Sequence, residues 1–267
     1  MKQDSGAHPD IVVVGGAGHV GLPLSLKLAE AGHRVCILDV SQKAIDTIAS
    51  GRMPFMERGA DELLAEVLPT GRLTFATGSS IVEHARVVIV VIGTPIDKYM
   101  NPHMTTFDSV IDGLMPHLAE DALLILRSTL FPGSTARLQQ RLRASDCRVR
   151  VAFCPERIAE GHAIEELASL PQVVGADDPV TLQRASDVFT SIGAQSVAVT
   201  VAEAEFAKLF TNAWRYMKFA VANQFFMIAN QAGHDYDRIL HAIRHDYPRA
   251  ADLPGPGFAA GPCLLKD

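Results

Sequence analysis

The sequence predicts an α/β fold: a mostly parallel sheet covered by helices, then a helical segment built on one long helix. Three observations carry this. From Ile11 to Phe153, short wholly apolar runs alternate with stretches of helical periodicity, the pattern of parallel strands buried on both faces. The first apolar run ends in glycines that lead straight into a helix. Beyond about residue 200 the alternation stops, and Ala202–Asn230 contains neither Pro nor Gly.

Taken in order, Ile11–Val14 is the first strand, and Gly21–Ala31 is a helix on Leu22, Leu26 and Leu28 that closes at Gly32. Arg34–Val40 is the second strand, carrying Asp39 at its end. A helix near Gln42–Ser50, a strand near Leu73–Ala76 and the strand Val87–Ile92 follow. Then come a helix near Phe107–Leu118, the strand Leu123–Leu126, a helix near Thr135–Arg143 and a strand at Arg150–Phe153. This sheet domain is expected over residues 1–200 and a helical domain over 201–267. Ala202–Asn230 makes a helix about 43 Å long at about 1.5 Å per residue. Its large apolar residues, from Phe206 through Trp214 to Ile228, are too many for one stripe, so burial nearly all round is expected. Packing on its own first domain and on a partner subunit would supply that burial, which predicts a homodimer through helix 202–230. A second helix near Tyr236–Arg244 follows Gly233, and Pro254–Lys266 is a Pro/Gly loop.

Composition bounds the function. The 267 residues correspond to roughly two domains at about 150 residues each. With 48% hydrophobic and 20% charged residues, a mainly disordered chain is excluded. A net charge of −6 offers no general attraction to nucleic acid or anionic membrane, so neither is expected as a partner. Cys36, Cys147, Cys154 and Cys263 lie far apart with no C-x-x-C pair. No disulfide framework or metal site is therefore expected, and a reducing cytoplasm is the expected location. Residues 1–10 lack an apolar signal core, and Val87–Ile92 is far too short to cross a bilayer.

Gly16-Ala17-Gly18-His19-Val20-Gly21 is G-x-G-x-x-G set between the first strand and the first helix. Gly16 is expected to permit the tight turn, Gly18 to let the backbone approach a pyrophosphate, and Gly21 to allow close helix–strand packing. The helix N-terminus adds N–H groups and a positive dipole end, with His19 and Val20 in the same cofactor-binding loop. Asp39 can accept hydrogen bonds from both ribose hydroxyls and would repel a 2′-phosphate. The first domain is therefore expected to be Rossmann-type, with NAD as cofactor. In such sheets ligands sit at the carboxyl ends of strands, where Gly93-Thr94-Pro95 and Arg127-Ser128-Thr129 fall. Taken alone, Thr94 or Ser128 reads as ordinary turn chemistry.

Three further constellations carry two readings each. Glu156 and Glu160 share a face if their segment is helical, as a base and a substrate holder or as a solvated acidic face. Lys208 and Asn212, at i and i+4 on the long helix, can hold a substrate hydroxyl or a developing oxyanion. The other reading is a snorkelling lysine beside a capped loop. Cys263 lies close to Lys266 and Asp267, and nearby cationic charge favours a nucleophilic thiolate, although loop cysteines are often inert. Cys36, Cys147 and Cys154 read as packing.

Together these residues resemble the nucleotide-sugar 6-dehydrogenase family, the UDP-glucose/GDP-mannose dehydrogenases, from Ile11 to Asp267. The glycine motif, Gly93-Thr94-Pro95, Ser128-Thr129, Pro155-Glu156-x-x-x-Glu160-Gly161, Lys208-x-x-x-Asn212 and Gly261-x-Cys263-x-x-Lys266-Asp267 occur in order. The resemblance implies NAD-dependent oxidation of a primary alcohol at sugar C6 to a carboxylate through two hydride transfers. It implies that Cys263 forms a thiohemiacetal and then a thioester, and that Lys208 and Asn212 stabilise oxyanionic species. Glu156, Thr129 and a water would assist proton transfer and hydrolysis, with Asp267 orienting water or base near Cys263. Glu160, Gly261 and Arg249 would contact substrate, Arg249 across the dimer, and Thr94, Pro95, Ser128 and Thr129 would line the cofactor. Arg127 stands where many members have an acid, and His19 where an aromatic Tyr is usual. Members carry a further nucleotide-sugar-binding domain after these elements; a chain ending at Asp267 is expected to bind NAD, hold UDP-sugar poorly and turn over little.

Cys154-Pro155-Glu156-Arg157 and the Pro-Gly-Pro-Gly of residues 254–257 resemble the branch that oxidises UDP-N-acetylhexosamines, while Ala159-Glu160-Gly161 also occurs among UDP-glucose enzymes. Two other functions remain open at this level. A β-hydroxyacid dehydrogenase shares the helix Lys-x-x-x-Asn but needs no cysteine, and a non-catalytic NAD-binding dimer needs only the first domain and the long helix. The Asp39 carboxylate predicts NAD binding at least about tenfold tighter than NADP binding, a gap of about 1.4 kcal/mol. Calorimetric titration of both cofactors checks it, and equal affinities refute it.

Overall fold

The computed structural model describes residues 8–94 and 104–258. In its first part the elements are β1 (Ile11–Val14), α1 (Gly21–Glu30), β2 (Val35–Leu38), α2 (Gln42–Ala49), α3 (Ala60–Val67), β3 (Leu73–Ala76), β4 (Val87–Val90) and α4 (Thr105–Leu114). They continue with β5 (Leu123–Leu126), α5 (Ser134–Ala144), β6 (Arg150–Phe153), α6 (Ala163–Ser169), β7 (Gln172–Gly175), α7 (Pro179–Ser191) and β8 (Ser196–Val199). The helices α8 (Val201–Gln231) and α9 (Tyr236–Arg244) follow.

The strands form one sheet in the order β3-β2-β1-β4-β5-β6-β7-β8. β1 pairs with β2 on one side and β4 on the other, both parallel, so the strand order reverses between β1 and β4. That reversal opens a crevice beyond the carboxyl ends of these strands, the place where doubly wound sheets take ligands. Alternate side chains feed two cores. Ile11, Val13, Ile37 and Ile125 pack with Leu22, Leu64 and Phe189 on one face. Val12, Val14, Val88 and Leu124 pack with Phe107, Ile111 and Leu138 on the other.

Several elements differ from the sequence reading. β2 stops at Leu38 and β4 at Val90, each two residues short of its apolar run. α4 ends at Leu114 because Pro116 cannot continue the helical ladder, and Met115–His117 forms a 3₁₀ turn. α3, α6, β7, α7 and β8 were not anticipated. β7 meets β6 antiparallel through Phe153 and Gly175 and then pairs parallel with β8.

The residues described as 8–94 and 104–206 form one compact unit, and 207–258 form another. Two contacts hold the start of α8 within the first. A Cβ on Gly175 would stand 2.6 Å from the Ala204 Cβ and 3.1 Å from the carbonyl oxygens of Phe153 and Thr200, so only glycine lets this turn seat there. Glu205, buried, accepts the Gly133 N–H at 2.6 Å, the Thr135 N–H at 2.9 Å and the Thr135 hydroxyl at 2.7 Å, capping α5.

In the second unit Ala229, Tyr236 and Leu240 make a small core with Ile239 and Leu253. The Asn223 amide exchanges two hydrogen bonds with the Gly257 backbone, at 2.9 and 2.8 Å. The all-round burial expected for α8 does not occur within the chain: Trp214 and Met217 are each 58% exposed and Ile228 62%. With Val221 and Phe225 these residues recur at three- and four-residue steps, and Tyr216, Phe226 and Met227 are exposed on other faces, so the apolar surface of the helix exceeds one stripe. Among the described residues no helix is long and apolar enough to cross a membrane.

The seat at Gly175 predicts that Gly175→Ala costs about 1–3 kcal/mol through overpacking. A lowered urea midpoint at unchanged slope is the expected readout. An unchanged midpoint would refute the close approach.

Candidate cofactor and catalytic site

The glycine loop is shaped by three different constraints. Gly15, just ahead of the motif, takes the left-handed conformation with φ +78°, so it makes the tight turn expected of Gly16. Gly16 is required for another reason, because a Cβ would lie 2.7 Å from the Val13 carbonyl oxygen. At Gly21 a Cβ would lie 2.5 Å from the Gly15 carbonyl oxygen, which is the helix–strand approach the motif predicts. Gly18 differs: a Cβ there would meet nothing nearer than 3.6 Å. Its bareness serves the space outside the loop, where a pyrophosphate would lie.

Asp39 sits beside this loop, accepting the Ala17 N–H at 3.1 Å and the Ser41 N–H at 2.9 Å. His19 is exposed and stacks on Phe55, ring centroids 3.9 Å apart, and Val20 is half-buried where α1 begins. At the next strand ends the Thr94 hydroxyl donates to the Thr129 carbonyl at 2.8 Å, tying the loop after β4 to the loop after β5. Thr129 is half-buried. Ser128 is buried, and its hydroxyl meets no partner among the described residues. A buried hydroxyl without a partner is costly unless a ligand engages it. An open Gly18, a carboxylate at Asp39 beside the loop and a Ser128 hydroxyl without a partner among the described residues together fit a dinucleotide.

Glu156 follows β6 in an extended, non-helical segment, so the shared helical face with Glu160 does not form. Glu156 is buried and Glu160 exposed at a turn. The Glu156 carboxylate accepts the Arg157 N–H at 2.7 Å, the Ile158 N–H at 3.0 Å and a contact from Arg127 Nη2. Burial pushes its pKa up, but the Arg127 charge and hydrogen bond, with the two backbone donors, outweigh burial and hold it below the usual value. Arg127, to which sequence reasoning gave no role, is wholly buried here. Its Nη2 also donates to Gln172 at 3.1 Å, and its guanidinium lies 4.8 Å over the Phe189 ring. The signal available was a lone cation ending an apolar strand.

Cys154, next to this cluster, is fully buried, and burial pushes its thiol up to about 12; burial pushes Cys36 to about 11. Both stay protonated and pack, as does half-buried Cys147, whose thiol is likewise raised by burial. In the second unit Lys208 is half-buried and Asn212 buried, one turn apart on α8, and Arg249 is exposed in the 3₁₀ turn Pro248–Ala250. Pro95, Gly261, Cys263, Lys266 and Asp267 lie outside the described residues.

The strand-order reversal, glycine loop and Asp39 define a dinucleotide-binding α/β protein. Within that class the chain belongs to the UDP-glucose/GDP-mannose dehydrogenase family: residues 10–193 match its NAD binding domain and 202–267 its central domain. NAD is the cofactor of that first domain. An NDP-N-acetyl-D-galactosaminuronic acid dehydrogenase of Ralstonia nicotianae is 29% identical over 96% of this chain and 63% of its own length. A UDP-N-acetyl-D-mannosamine dehydrogenase of Methanocaldococcus jannaschii is 30% identical over 96% of this chain and 60% of its own. Among solved structures, the UDP-D-ManNAc dehydrogenase of Pyrococcus horikoshii superposes with a TM-score of 0.88 at 26% identity, over 95% of this chain and 62% of that one. The chain thus spans somewhat over half the length of the relatives it matches.

A carboxyl held below its ordinary 4.5 contributes stability that is present above that value and is lost as pH falls through the folded value. Glu156→Gln is expected to flatten the acid limb of the stability curve below about pH 4.5. Arg127→Met, which strands the buried carboxylate, is expected to cost about 3–5 kcal/mol at pH 7. Denaturant unfolding across pH checks both, and an unchanged acid limb in Glu156→Gln overturns the pairing.

Proposed function

We propose that this chain is the NAD-binding and central part of a nucleotide-sugar 6-dehydrogenase that oxidises a UDP-N-acetylhexosamine to its uronic acid. The observation that carries the reading is the gathering of the glycine loop, Ser128, Thr129 and Glu156 at the carboxyl ends of β1, β5 and β6, in a chain of this family. The sugars named for the relatives support the acetylhexosamine choice. We assign the first domain to residues 1–200 and the central domain to 201–267, in a cytoplasmic protein.

NAD, when bound, accepts the hydride in each oxidation. The chain's own residues do the rest. The Cys263 thiolate adds to the aldehyde and holds it as a thiohemiacetal; loss of a hydride and a proton in the second oxidation leaves a thioester, which water hydrolyses to the carboxylate and the free thiol. Lys208 and Asn212 donate to the oxygen that gains charge. Glu156, held ionised, accepts from the water or hydroxyl that Thr129 also contacts, while Asp267 orients the base near Cys263. Glu160, Gly261 and Arg249 hold the sugar nucleotide. Pro95 and Thr94 line the cofactor with Ser128. One primary alcohol, two NAD⁺ and one water thereby give one carboxylate, two NADH and three protons.

The exposed apolar surface of α8 supports a homodimer through helix 202–230. Light scattering at micromolar concentration is expected to give the dimer mass and Trp214→Asp the monomer mass; a monomeric wild type refutes the assembly.

In the whole dehydrogenase of which we take this chain to be the NAD-binding and central part, with UDP-N-acetylmannosamine as substrate, two NADH per sugar consumed are expected, and Cys263→Ser is expected to abolish product while NAD binding persists. One NADH per sugar would indicate a single-step oxidation of the β-hydroxyacid type. NAD binding with no oxidation of any nucleotide sugar would leave a non-catalytic NAD-binding dimer.

A further inference from the structure

Glu57 is a buried acid that the mechanism above does not use. It lies 5% exposed between α2 and α3, and both its oxygens are committed. Oε2 accepts the Gly161 N–H at 2.9 Å and Oε1 the Ala163 N–H at 2.8 Å, more than a hundred residues along the chain. On the near side of the same turn, Glu166 Oε2 accepts the Ala159 N–H at 2.6 Å. Glu160 is therefore the exposed residue between two pinned neighbours. Gly161 takes φ +87°, which turns the chain so that both donors can face Glu57. Gly59, two residues beyond Glu57, takes φ +76° at the start of α3 and lies within ordinary packing distance of Ile164.

We propose that Glu57 is a positioning residue for substrate recognition, holding the 159–163 turn so that Glu160 is presented to the sugar nucleotide. The inference rests on the dehydrogenase reading above and on Glu160 as a substrate contact. A turn with free backbone amides samples several conformations. Two charge-assisted hydrogen bonds to one buried carboxylate select one of them before substrate arrives. The same segment carries Phe55, stacked on His19 of the glycine loop. Among the described residues the Glu57 side chain bonds to the Gly161 and Ala163 amides alone, so the effect of changing it is expected on the sugar and not on NAD.

The test is a double-mutant cycle of Glu57→Gln and Glu160→Gln in the active protein, with substrate and cofactor varied separately. Glu57→Gln keeps the shape and one acceptor but turns an amide NH₂ toward a backbone donor. It is expected to raise KM for the nucleotide sugar about tenfold, with kcat and KM for NAD within about twofold. Adding it to Glu160→Gln is expected to raise KM little further, because both act on one contact. Glu57→Asp, which is too short to reach both amides, is expected to fall between wild type and Glu57→Gln and serves if the glutamine variant does not fold. Additive effects of the two substitutions overturn the proposal, as does a fall in kcat or NAD affinity matching the rise in KM. An unchanged KM in Glu160→Gln also overturns it, while two NADH per sugar would leave the dehydrogenase reading standing. A wild type that oxidises no nucleotide sugar overturns that reading and the proposal with it.

Discussion

A buried carboxylate must find donors or forfeit several kcal/mol, and the carboxyl edge of this sheet is organised around three that do. Glu205 takes the amides of Gly133 and Thr135, Glu57 those of Gly161 and Ala163, and Glu156 those of Arg157 and Ile158. Each acid is under a tenth exposed. The satisfied groups are backbone amides of the loops after β5 and β6, which have no ladder partner of their own. Acid and loop thus resolve each other's deficit. The loops so fixed are the ones that carry Ser128, Thr129, Glu156 and Glu160.

Arg127 sets the charge state of this edge. Without a cation, a carboxyl as buried as Glu156 would take a proton, and its backbone acceptor geometry would lose its strength. The guanidinium offsets part of the same penalty through Nη2, which meets Glu156 and Gln172, and by lying over Phe189, while its Nε and Nη1 find no hydrogen-bond partner among the described residues. The cation does not activate its other neighbour. Cys154 feels the Arg127 charge, yet burial dominates and keeps the thiol neutral. Burial thus makes packing residues, and not nucleophiles, of Cys36 and Cys154.

What could be read from the sequence follows from distance along the chain. Strands such as Ile11–Val14 and Leu123–Leu126 announce themselves by unbroken apolar content, and α8 by its length without Pro or Gly. The glycine motif and Asp39 were legible because their geometry is local. β8 was not, since its edge position leaves Val197 and Ala198 exposed and its apolar signal weak. α7 hid its stripe among Ser, Thr and Gln, although Asp178 capping before Pro179 was a start signal that could have been used. Gly16 was misread because sequence cannot tell a glycine kept for φ from one kept for closeness; Gly15 holds the former role. The partners of Glu57, Glu156 and Glu205 lay beyond reach, being set by tertiary folding and not by spacing.

One of these anchors also seats the start of the long helix. α8 is unbroken from Val201 to Gln231, so its rotation about its own axis has a single phase. Glu205, held by three hydrogen bonds to the start of α5, fixes the facing of the first turn, Val201 to Phe206, against the sheet unit. Lys208 and Asn212 stand three and seven residues further on, the spacing that returns to one helical face. The two side chains therefore share one face of α8. A buried acid that caps α5 thus also seats the first turn of the long helix within the sheet unit, so one carboxylate settles two helix starts at once.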